Sequence, residues 1–131
     1  DTHKHTHALP QVALALAEIS QEFGIPWVRR PLAGPLLRWI LRRRGCRMTD
    51  HFAGFRLTGR LDQAALTTLI RQLPEGTTEL MCHPGFLGEE LRSARTRLKE
   101  SRQRELKALL APEVRQAIQD AGVRLVSYRS L

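Results

Sequence analysis

Apolar side chains return along this chain with two different periods. Over residues 10–23, Val12, Leu16, Ile19 and Phe23 recur every three or four positions, the spacing that lines one face of a helix. Pro10 suits a first helical turn and Gly24 a C-terminal stop. A second helix is expected over residues 35–44, stopped by Gly45. The clearest lies over residues 61–73, where Leu61, Ala65, Leu66, Leu69, Ile70 and Leu73 form one stripe. Residues 101–110 and 112–121 complete the helical set, with Gly122 as the last stop. Shorter segments lie between. Residues 2–8 alternate with the period of a strand and are closed by Leu9-Pro10; residues 25–29, 77–82 and 123–128 also read as strands. Residues 51–57 fit strand or loop. Strands alternating with helices at this spacing predict βαβ units and a mostly parallel sheet, an α/β fold.

The length, 131 residues, suits one domain. With 42% apolar and 26% charged residues, the composition is that of a folded domain, not of a disordered chain. No apolar run approaches the roughly 18–20 residues that would cross a bilayer. No basic-then-apolar leader opens the sequence, and its two cysteines, Cys46 and Cys82, make neither a disulfide framework nor a metal knuckle. A reducing, cytoplasmic setting is expected. Charge changes the picture more. Twenty-one basic residues, all but three of them arginine, face thirteen acidic ones, a net +8. Such a balance attracts phosphate-rich partners, although arginine and alanine enrichment also follows from a GC-rich coding sequence with solvated arginines.

Two clusters carry candidate chemistry. His3, His5 and His7 stand at i, i+2 and i+4 beside Asp1. On a strand, that spacing puts three imidazoles on one face, where neighbours can share a metal ion or a proton-transfer role. A ragged histidine-rich end, a tag remnant or rings packed on a polar groove are the structural alternatives. In the second cluster Glu79, Met81 and His83 share a strand face, and His83 falls at its C-terminal end before a Pro-Gly turn. Ligands of parallel α/β folds gather beyond such strand ends. Glu79, deeper in the strand, fits a structural ion pair equally well. Cys82 faces away from His83, which argues against a Cys–His nucleophile pair.

The segment Asp1-Thr2-His3-Lys4-His5-Thr6-His7 with Pro10 resembles the D-[ST]-H-x-H-x-H-x-x-P strand of the YdjC/ChbG-type carbohydrate deacetylases. Residues 78–85 resemble that family's E-[LV]-M-x-H-P segment. Arg102-Gln103-Arg104-Glu105-Leu106 and Gly122-Val123-Arg124-Leu125 are similar to its R-x-x-E-L helix and closing G-x-x-L strand. Residues 76–85 and Val28-Arg29-Arg30-Pro31 lean toward the branch associated with hopanoid biosynthesis. The resemblance implies an incomplete (β/α) barrel, the C-terminal half of a distorted TIM-like barrel. It also implies N-deacetylation of an N-acetylglucosamine-type sugar, a lipid-linked hopanoid glycoconjugate included, with a divalent ion, Mg²⁺ or Zn²⁺. By the same resemblance His3 is a metal ligand, His5 and His7 line the groove, and His83 is a proton donor or substrate contact. Arg29 would orient sugar or acetyl oxygens. The family's N-A-D-D-F-G and G-x-H strands have no counterpart here, so residues 1–131 are expected to form the C-terminal portion of one deacetylase domain. Weak metal binding, no turnover by this portion alone, and a homodimer of a longer protein go with that expectation.

A rival reading comes from residues 35–44, where Arg38, Arg42, Arg43 and Arg44 interleave with Leu36, Leu37, Trp39, Ile40 and Leu41. A basic amphipathic helix with a Trp fits an anionic membrane surface, or grips nucleic acid, although no nucleic-acid motif accompanies it. It also fits an outer helix with a solvated basic rim. The competing function is therefore a non-catalytic basic module. Arg102 and Glu105, at i and i+3, suit a local ion pair as well as a substrate role.

Overall fold

The computed structural model describes all 131 residues, which divide into two compact units. The first unit comprises Asp1–His51 and Gly76–Glu79, the second Phe52–Glu75 and Leu80–Leu131. Helix α1 (Pro10–Glu22) opens the first unit with Pro10 at its start, where a missing N–H costs nothing. Its inward face is Ala13, Ala17 and Ser20, about one residue round from the expected stripe. Ile19 and Phe23 are instead exposed, at 52% and 67%. The small side chains let α2 (Pro35–Arg43) approach α1 closely. Leu37 and Leu41 of α2 then pack with Ala13, Ala17, Val28, Cys46 and Met48 into one core. Ser20 closes the end of α1 by donating from Oγ to the Ile25 carbonyl at 2.6 Å.

The second unit is a three-helix packing of α3 (Gln63–Arg71), α5 (Glu100–Leu110) and α6 (Pro112–Asp120). Asp62 caps α3 by accepting the Ala65 N–H at 2.9 Å. Leu61, Leu66, Ile70, Ala108, Val114 and Ala117 form its core, flanked by Leu57, Leu80 and Cys82. A short helix, α4 (Glu89–Ser93), has no counterpart in the apolar pattern; five residues are too few for a periodic signal.

Strands β1 (His51–Ala53) and β2 (Thr78–Leu80) make a two-stranded sheet. Its pairing is parallel: the His51 N–H donates to the Thr77 carbonyl at 2.9 Å and the Met81 N–H to that of Ala53 at 3.0 Å. Gly54 follows β1 at φ +92°, and a Cβ there would stand 2.1 Å from the Met81 carbonyl oxygen.

The sheet is much smaller than the alternation predicts. Residues 25–29 make a single parallel bridge, Trp27 to Arg47, with the Arg47 guanidinium 4.6 Å from the Trp27 ring centre. Residues 123–128 form no strand; with no neighbour to complete a hydrogen-bond ladder, Leu125 stays 76% exposed. Residues 2–8 are not a strand either. His3–Ala8 is a kinked 3₁₀ segment, for a reason that belongs to the site.

Candidate active site

The histidine segment turns because Thr2 captures it. The Thr2 hydroxyl oxygen accepts the His7 N–H at 2.8 Å and lies 2.7 Å from His7 Nδ1, a local side-chain bond that competes with extended pairing. Lys4 and His5 take left-handed backbone angles, φ 54° and 57°, each costing about 1–2 kcal/mol for a non-glycine residue. This departs from the one-faced row of three imidazoles. His7 is completely buried, His5 half-buried and His3 exposed. The rings of His5 and His7 are brought together, with centres 5.7 Å apart and planes tilted by 46°. His3 is not part of that pair.

His7 is sealed with its Nε2 making no hydrogen bond. Burial holds its pKa below the usual 6.5, and His5, the N-terminal amine and Arg29 push the same way; the Arg30 main chain pulls against them. The ring is therefore neutral at pH 7, with one nitrogen engaged by Thr2 and the other buried near the Arg30 main chain.

In the same unit Arg29 is held between two carboxylates. Its Nε and one terminal nitrogen each lie 2.6 Å from Glu79 Oε1, and the other terminal nitrogen pairs with Asp1. Glu79 is thus an ion-pair partner, the structural alternative raised for it. A guanidinium so engaged fixes the N-terminal residue and β2 beside each other.

These donors do not fit a divalent ion by themselves. Asp1 and Glu79 are taken by Arg29, His3 is exposed, and no three His, Cys, Asp or Glu side chains of the chain converge on one point.

His83 belongs to the second unit, in the segment after β2. Its N–H donates to Glu105 Oε2 at 2.5 Å, and Glu105, on α5, is 1% exposed with its other oxygen unpartnered. The Arg102–Glu105 ion pair does not form: Glu105 turns into the core, and Arg102 donates from Nε to the Leu98 carbonyl at 3.2 Å. Arg102 and the His83 segment still meet through the main chain, the Gly85 N–H donating to the Arg102 carbonyl at 3.1 Å. Burial, with the Glu105 charge adding to it, raises the Cys82 thiol pKa, so the thiolate that nucleophilic chemistry needs is disfavoured.

Two residues matter more here than sequence reasoning allowed. In the sequence Thr2 stands only as a motif position; its signal is a hydroxyl residue just ahead of a segment that must turn. For Glu105 the i, i+3 spacing from Arg102 suits an ion pair or a substrate role equally, and it says nothing about which helix face the core covers.

The chain is 28% identical over its whole length to a carbohydrate deacetylase from Thermoanaerobacter pseudethanolicus, and 30% identical over 98% of its length to a chitooligosaccharide deacetylase from Yersinia enterocolitica. It spans about half the length of the curated relatives it matches, 51% and 50% in these two. A crystal structure from Enterococcus faecalis V583, described as that of a cellobiose-phosphate cleavage protein, superposes over 99% of this chain and 51% of its own, with a TM-score of 0.83 at 21% identity. That likeness is one of fold. A family-wide profile described as YdjC-like protein matches residues 1–120, taking in the histidine segment, the Glu79–His83 segment and the Glu105 helix together. With those three segments matched in order over more than nine-tenths of its length, the chain belongs to the YdjC-like protein family.

Proposed function

We propose that this chain serves carbohydrate N-deacetylation, the hydrolysis of an acetamide on an N-acetylglucosamine-type sugar, as part of a (β/α) barrel enzyme. What carries the reading is the packed pair of His5 and His7, the latter a buried neutral imidazole, on the segment that resembles the deacetylases' histidine motif. The names of the relatives, carbohydrate and chitooligosaccharide deacetylase, support the substrate class.

Amide hydrolysis needs a water made nucleophilic, an oxyanion stabilised and a proton delivered to the leaving amine. The resemblance implies for His83 the role of proton donor, worth about 10²–10⁴-fold in similar sites, and within the second unit Glu105 is its positioning residue through the main chain. His5, the half-buried ring of the pair, meets the sugar, with His7 locked behind it. Arg29 orients the site through Asp1 and Glu79. The divalent ion implied by the resemblance, with His3 as ligand, needs donors beyond those converging here, and no step is routed through it.

The test is titration with N-acetylated chito-oligosaccharides, followed by NMR and by acetate release with Mg²⁺ or Zn²⁺ added. Saturable binding lost in His5→Ala is expected. Where acetate is released, His83→Gln cuts the rate by about 10²-fold or more and Glu105→Gln by less. Neither binding nor acetate release would end the reading.

A second reading concerns α2, whose Leu36 and Trp39 are 68% and 55% exposed beside Arg42 and Arg43. They favour contact with an anionic membrane surface, which suits a lipid-linked, hopanoid-type amino sugar. No helix is long and apolar enough to cross a membrane.

A further inference from the structure

The second unit holds a cleft of about 580 Å³ that none of the candidate site residues His3, His5, His7, Arg29 and His83 lines. Its walls are the 55–60 loop and the turn that leads into α5. Five cationic side chains line it, Arg56, Arg60, Arg97, Lys99 and Arg104, against one carboxylate, Glu100. None of the five pairs with an acid. Three are braced on backbone carbonyls instead: Arg60 on Arg56 at 2.8 Å, Lys99 on Arg92 at 2.6 Å and Arg104 on Gly59 at 3.4 Å. Bracing fixes a head group but leaves its charge uncompensated.

Two further features border the cleft. Helix α5, eleven residues long, starts at the cleft, so its first-turn amides and the positive end of its dipole are there. Ser101, in that first turn, lines the cleft and is 8% exposed, yet its hydroxyl hydrogen-bonds to nothing. A serine in a helix normally bonds back to the preceding turn or reaches water, and a buried hydroxyl left unpaired costs stability. The loop opposite approaches so closely that a Cβ on Gly59, at φ +77°, would stand 3.0 Å from Leu98 Cδ2 and 3.9 Å from Ser101 Oγ.

We propose that this cleft is a phosphate site: a phosphate dianion, free or as the monoester of a small organic molecule, takes the Ser101 hydroxyl and the α5 amides on one side and the arginine forks on the other. A tetrahedral dianion answers both the surplus of cations and the idle hydroxyl, which a carboxylate of single charge does only in part. The site lies wholly in the second unit and does not depend on the deacetylation reading.

Titration of the chain with inorganic phosphate and with glucose 6-phosphate, at an ionic strength held constant with chloride and followed by ³¹P NMR, tests it. Saturable binding of one phosphate per chain is expected. Arg60→Gln and Arg104→Gln each weaken it about fivefold or more, as loss of a charge-assisted bond should. Ser101→Ala weakens it about threefold while leaving the thermal midpoint unchanged or raised, because it removes an idle buried hydroxyl. Arg115→Gln, an exposed arginine of α6 outside the cleft, leaves the affinity unaltered. Tighter binding of the monoester assigns an organic phosphate, and equal binding assigns the free ion. Unsaturable binding, equal weakening by Arg115→Gln, or indifference to Ser101→Ala and Arg104→Gln overturns the proposal.

Discussion

A histidine with no exposed surface must be neutral or answered by an acid, and no acid answers His7. Its neutrality has a consequence for stability. Its folded pKa lies below the unfolded value of 6.5, so the stability it contributes is fully present above pH 6.5. As pH falls, the unfolded chain takes up a proton that the folded one refuses, and stability declines toward the folded pKa. His5, the N-terminal amine and Arg29 strengthen the refusal, and the Arg30 main chain softens it. Urea midpoints between pH 8 and 5 should drop for the native chain. His7→Asn, which keeps a nitrogen near Thr2 but does not titrate, should show a flatter profile; an equal slope in both would refute the assignment. The sequence singled out this residue through a period of two, but the selector in the structure is the Thr2 hydroxyl. Alternation cannot distinguish a strand from a segment that a neighbouring side chain bends.

The helices were legible because their information is local. Proline starts, the Asp62 cap and three- or four-residue spacing lie within each segment, and α2, α3, α5 and α6 fall within about two residues of expectation. The strands were not, since a strand exists only with a partner that the local pattern does not name. Residues 77–82 found one in β1, while residues 123–128 did not. The face of α1 was misjudged for a related reason: the helix buries its alanines, a choice made by the approach of α2 and not by hydrophobicity. Where two segments do meet, tolerance is small. Gly54 lets β1 turn beneath the Met81 carbonyl, with a positive φ and no room for a methyl group. Gly54→Ala should cost roughly 2–4 kcal/mol of unfolding free energy, the sum of left-handed strain and a backbone shift. A urea titration showing less than about 1 kcal/mol of loss would mean the β1–β2 junction is softer than this contact requires.

At the scale of the whole chain, charge is the property read most directly from sequence, and its placement is what structure adds. Part of the basic surplus behind the net +8 lies on two surfaces, the cleft of the second unit and α2. On α2, Leu37 and Leu41 are buried in the core while Leu36 and Trp39 are exposed. The Arg43 guanidinium lies 5.2 Å from the Trp39 ring centre, so cation and aromatic are presented together. An amphipathic surface of this kind gains twice at an anionic bilayer, from burial of the exposed apolar groups at the headgroup boundary and from attraction of the arginines. Each arginine near such a surface contributes about 1 kcal/mol, an effect that salt screens. Co-sedimentation with phosphatidylcholine vesicles should therefore be weak, rising when phosphatidylserine is included and falling again as salt is added. The double variant Arg42→Gln with Arg43→Gln should weaken the serine-lipid component roughly tenfold or more, and Trp39→Ala should weaken binding to both kinds of vesicle. Pelleting that ignores both phosphatidylserine and salt would mean that α2 keeps its arginines for water alone.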